Sequence, residues 1–112
     1  MGEKKVRKQK MKTRCYYTDY VNHAIRFFLS TPDTLQVQGK RKADVENWVA
    51  VQAVFHQLTD EEKKVLTDVF NTHYNLPHAV ETYCHSTGAD EYQVWVLITK
   101  VSSRIAKCRG LI

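Results

Sequence analysis

From Val94 onward, apolar residues recur at Leu97, Ile98, Val101 and Ile105, and no helix breaker intervenes before Gly110. Spacings of three and four place these side chains on one stripe of an α-helix, whereas a strand would divide them between two faces. Such a stripe has to be buried against other elements. The rest of the chain offers little for a sheet. Alternation is confined to Leu35-Gln36-Val37-Gln38, and four glycines and two prolines are too few for a turn-rich β architecture. The expected fold class is all-α. At 112 residues the chain has room for one hydrophobic core, hence a five-helix single domain.

Four further helices precede this one. The first runs from about Tyr16 to Leu29, with Tyr17, Tyr20, Val21, Ala24 and Phe28 on a shared stripe, and Thr31-Pro32-Asp33 ends it. Residues 30–42 form the longest break and close on a basic run, Lys40-Arg41-Lys42, which either meets phosphate or is solvated surface. The second helix spans about Ala43 to Gln57, with Val45, Trp48, Val49 and Phe55 on one face, Val51 and Val54 beside it, and Trp48 as a core anchor. Thr59-Asp60-Glu61-Glu62 is a capping box and starts the third, whose apolar face is Val65, Leu66, Val69 and Phe70. The fourth follows Asn75-Leu76-Pro77, buries Ala79, Val80, Tyr83 and Cys84, and breaks at Ser86-Thr87-Gly88-Ala89. Asp90 then caps the fifth.

The net charge of +5 is unevenly placed. Residues 1–14 hold Lys4, Lys5, Arg7, Lys8, Lys10, Lys12 and Arg14 against Glu3 alone, a net +6. The remaining residues hold ten Lys or Arg and eleven Asp or Glu, a net −1. The expected organisation is a flexible, disordered basic tail over residues 1–14 and a helical domain over residues 15–112. The tail cations suit phosphate contacts to DNA or an acidic partner.

Residues 76–107 read as a helix-turn-helix: a helix, a tight turn at Gly88, and a helix capped by Asp90. Thr87-Gly88-Ala89-Asp90, followed by Val94, Leu97, Val101 and Ile105, resembles region four of bacterial sigma factors. More closely, it resembles the sigma-like late-transcription regulators of phages and mobile elements, the ArpU/RinA type. The acid-rich Glu61-Glu62-Lys63-Lys64-Val65-Leu66 and the aromatic stretch Phe70 to Tyr74 extend the likeness over Leu58 to Ile112, about half of the chain. The resemblance implies a transcription regulator that binds promoter DNA, with bacterial RNA polymerase or another transcription regulator as partner.

Centring the buried stripe of the last helix on Val94, Leu97 and Val101 turns Tyr92, Val96, Thr99 and Ser103 outward, with Glu91 and Trp95 flanking the stripe. Two uses follow. In DNA binding, Tyr92, Gln93, Val96 and Lys100 join the tail cations, Gln93 and Lys100 being the conventional base readers. In a protein-interaction module, Glu91, Tyr92, Trp95 and Val96 form an acidic, aromatic contact surface. A homodimer through the aromatic-rich first helix is a third use.

Other chemistry lacks its residues. His73, His78, Cys84 and His85 follow no zinc spacing, so no metal or other cofactor is expected. No nucleophile elbow, phosphate-cradling glycine loop or catalytic carboxylate pair occurs, and the chain does not read as an enzyme. Cys15, Cys84 and Cys108 are odd in number and read as reduced thiols, which fits a cytoplasmic protein. No apolar run is long enough for a membrane span, and no apolar region follows the basic N-terminus as a secretory signal requires.

Overall fold

The structure, a computed structural model, describes residues 17–31 and 40–112. The basic stretch containing Lys4 to Arg14, Cys15, and the Leu35–Gln38 alternation lie outside the described residues, as does Pro32-Asp33. Those that are described form five helices and no strand: α1 Thr18–Ser30, α2 Lys42–His56, α3 Asp60–Thr72, α4 Leu76–Thr87 and α5 Glu91–Cys108. The all-α expectation holds, and each boundary lies within two residues of its expected place.

The helix ends follow from local chemistry. Thr59 Oγ1 accepts from the Glu62 amide at 3.1 Å, and Glu62 Oε1 accepts from the Thr59 amide at 3.0 Å, so the capping box at the start of α3 is complete. Asn75 Oδ1 accepts from the His78 amide at 3.0 Å, with Pro77 in the first turn of α4 where a missing N–H costs nothing. Gly88 ends α4 with φ 79°, a left-handed conformation that favours glycine. At the end of α5, Leu111 donates its amide to Ala106 O at 2.8 Å and packs against the core, while Gly110 takes φ 71°.

α1 packs on α2 and α3 on α4, and α5 touches all four. One core results. It joins Val21 and Ile25 of α1, Val51 and Val54 of α2, Leu66 and Val69 of α3, and Ala79 and Val80 of α4 to Val94, Ile98, Val101 and Ile105 of α5. Trp48 is the anchor expected: it is 3% exposed, its Nε1 donates to Thr31 O at 2.6 Å, and its ring lies 5.3 Å from that of Phe28.

Two faces differ from the expectation. Val49, placed on the buried stripe of α2, is 52% exposed, and Asn47 and Ala50 join Val51 and Val54 on the buried side. Valine and alanine occur all round this helix, so periodicity alone does not choose its inner side. Tyr20 also stands at the rim of α1, its ring partly in solvent and its hydroxyl donating to Asn47 Oδ1 at 3.2 Å.

Candidate nucleic-acid interface

A three-residue turn, Gly88 to Asp90, joins α4 to α5. Gly88 donates its amide to Cys84 O at 2.8 Å, closing the last turn of α4. Cys84 lies buried beneath, small enough to let the helices approach, and burial, with Glu91 and Asp90 adding to it, pushes its thiol pKa up. The thiol therefore stays protonated and serves as packing. Across the turn, Asp90 Oδ1 accepts from the Tyr92 amide at 3.4 Å, a long bond that nonetheless sets the start of α5.

The orientation of α5 corrects the sequence reading. Its buried residues are Val94, Trp95, Ile98, Val101, Ser102, Ile105 and Ala106, while Leu97 is only half-buried. Taking a helical step per residue, the buried sector is rotated roughly 70° from one centred on Val94, Leu97 and Val101. Trp95, assigned to a partner-contacting surface, is 6% exposed and belongs to the core. Its large ring fills the space between α5 and the other helices, and removing it from water outweighs any surface role.

The same rotation changes what faces outward. Gln93, Val96, Lys100, Arg104 and Lys107 are all exposed, and they recur at intervals of three and four along one polar stripe. Tyr92 and Thr99 remain exposed beside it, and Ser103 is half-buried. Of the residues assigned to DNA, Tyr92, Gln93, Val96 and Lys100 thus lie on the surface, and Glu91, assigned to a protein partner, is half-buried. Arg104 and Lys107 also suit the negative end of the helix dipole. Their spacing from Gln93 and Lys100 is the sequence signal that all four share one face.

Lys100 has a second attachment. Its Nζ lies 3.3 Å from Glu62 Oε2, whose other oxygen serves the capping box of α3. The Thr59 amide, with Lys100 adding to it, lowers the Glu62 pKa and keeps the carboxylate charged. One carboxylate thus caps α3 and holds a side chain of α5, fixing where Lys100 stands relative to the α3–α4 pair.

Two further clusters, unforeseen in the sequence, hold the scaffold. Arg26 of α1 donates to Phe70 O at 2.8 Å, His73 O at 3.0 Å and Tyr74 O at 2.6 Å, and its guanidinium lies 5.1 Å from the centre of the Phe70 ring. At the other end of α1, Asn47 Oδ1 accepts from both Tyr20 and Arg109, the latter at 2.5 Å, while Arg109 also pairs with Glu46 at 3.5 Å. This cluster fastens the C-terminal end of α5 to the first turn of α1 and the second turn of α2. The rings of His73 and His78 meet edge to face at 4.4 Å, but no three metal-ligating side chains converge among the described residues. No helix among them is long and apolar enough to cross a membrane.

No protein-family model matches this chain, and comparisons with curated proteins and with solved structures find no match.

Proposed function

We propose that the chain is a transcription regulator of the phage or mobile-element kind, which binds promoter DNA, RNA polymerase or both through a sigma-like helix-turn-helix made of α4, the turn at Gly88 and α5. The observation that carries this reading is the outward stripe of α5. Gln93 and Lys100 are the residue types that pair with purine edges in a major groove, and Val96 between them can meet a thymine methyl. Arg104 and Lys107 continue the stripe with charges suited to phosphate. The width of a B-form major groove admits one helix, and α5 presents one such edge while its opposite side is held by the core. The basic residues 4–14 add sequence-independent affinity.

A second reading, an interaction module that binds another regulator, draws on Tyr92 and Val96. They are 41% and 39% exposed and stand one helical turn apart. With Trp95 in the core, this apolar surface is reduced to two side chains.

Enrichment of binding sites from a random duplex pool separates the two. Base reading predicts a recovered motif, and Gln93→Ala should lose preference at one base pair, worth about 1–3 kcal/mol of discrimination. Failure of the wild-type chain to enrich any duplex overturns base reading and favours the interaction module.

A further inference from the structure

We infer that Glu62 of α3 sets the selectivity of the DNA-reading edge: by holding Lys100 it withholds that ammonium from phosphate and leaves it able to meet a guanine edge, so that Lys100 serves as a base reader and not as a sequence-independent cation. This rests on the DNA-binding reading of α5 and adds to it a positioning residue from another helix.

The contact joins residues 38 apart in sequence: Lys100 Nζ lies 3.3 Å from Glu62 Oε2. Glu62 is not a free surface side chain. Its Oε1 accepts from the Thr59 amide at 3.0 Å, and its own amide donates to Thr59 Oγ1 at 3.1 Å. An ordinary surface ion pair gains little, because two long side chains must be ordered to form it. Here the cap has already ordered the carboxylate, so only Lys100 loses freedom. The side chains of Lys100 and Glu62 are 41% and 31% exposed, so the pair remains open to a ligand laid on the outward stripe.

Lys100 differs in this from the other cations of its face. Arg104 and Lys107 are exposed and have no acidic partner within ion-pair distance among the described residues. The lysines of α3 pair within their own helix, Lys63 with Asp60 at 4.0 Å and Lys64 with Asp68 at 2.9 Å, as helix surfaces commonly do. The Lys100 pair instead crosses from α5 to α3. It falls on the residue that stands about two helical turns from Gln93, with Val96 between them.

The chemistry of the pair distinguishes two kinds of acceptor. An ammonium has three donors, of which Glu62 takes one and leaves two. Guanine N7 and O6 are neutral acceptors on the major-groove edge, and lysine is a residue type that bonds them. They can take the remaining donors while Glu62 keeps its hold. A phosphate carries a full negative charge. Drawn to Lys100, it would stand next to the Glu62 carboxylate, and like charges at close range repel. The carboxylate therefore acts against the wrong contact and tolerates the right one, which is how a repulsive element creates specificity.

The test is a salt titration of binding by the full chain to two duplexes, one enriched from a random pool and one scrambled, with wild type, E62Q, E61Q, K100Q and E62Q/K100Q. Glutamine also serves at this position of a capping box, so E62Q removes the charge and retains the cap, and circular dichroism verifies that the variants fold. E62Q should tighten binding to the scrambled duplex and steepen the slope of log affinity against log salt by about one, the change that one added phosphate contact brings. It should also narrow the preference for the enriched duplex by roughly fivefold or more, the lower end of what one base contact discriminates. E61Q removes an equal charge one residue away and should keep the wild-type slope, and E62Q/K100Q should keep the slope of K100Q. A wild-type slope in E62Q, or an equal steepening in E61Q or in the K100Q background, overturns the role of Glu62 and leaves DNA binding standing. Failure of the wild type to bind duplex at low salt, or to enrich one, overturns the reading on which that role rests.

Discussion

Arg26 does what no residue of α3 does for itself. The last carbonyls of a helix lack intrahelical donors, and α3 ends without a glycine or a basic residue in its final turn. A guanidinium from α1 supplies the donors, to Phe70, His73 and Tyr74, and its positive charge suits the negative end of the α3 dipole. Partial burial lowers the Arg26 pKa, yet it remains charged at any physiological pH. Arg26→Ala should destabilise the fold by about 2–3 kcal/mol, since charge-assisted bonds are lost and the Phe70 carbonyl is left partly shielded from water. Arg26→Lys should recover less than half, because an ammonium cannot reproduce the fork. Urea unfolding midpoints at constant slope check both. Nothing in the sequence announces this clamp. Arg26 sits between apolar residues on α1, and the carbonyls it meets lie more than forty residues away.

At the scale of elements, the helices themselves were legible because their ends are written locally: Thr59 with Glu62, Asn75 with Pro77, and Gly88 with Asp90. The faces were less so. α5 touches four other helices, and the apolar sector needed to satisfy them is wider than the stripe of a helix with one neighbour. Val94, Leu97 and Val101 suggested one centre, and the bulk of Trp95 moved it. The consequence is measurable. Trp95→Ala should cost about 3–5 kcal/mol by leaving a cavity in the core, whereas Val96→Ser, on the outward stripe, should change stability by less than about 0.5 kcal/mol. Thermal or chemical unfolding of the two variants distinguishes them. Near-equal effects would return Trp95 to the surface and remove the rotated face from consideration.

For the whole molecule, the relation between distant charges is the property that sequence reading does not reach. The excess at residues 1–14 and the run at 40–42 are plain in the sequence, as is the series Lys100, Arg104 and Lys107. That the C-terminal end of α5 is fastened to α2 depends on Arg109 meeting Asn47 and Glu46, a long-range contact with no local signature. The account as a whole holds that α5 presents Gln93, Val96, Lys100, Arg104 and Lys107 to duplex DNA while α1 to α4 hold it in place. The most direct measurement is the backbone amide spectrum of the full chain during titration with duplex. The account predicts shifts concentrated at Gln93, Val96, Lys100, Arg104 and Lys107, with Val69, Val80 and Ile105 in the core unmoved. Shifts confined to residues outside that set, or none at saturating duplex and low salt, would contradict it.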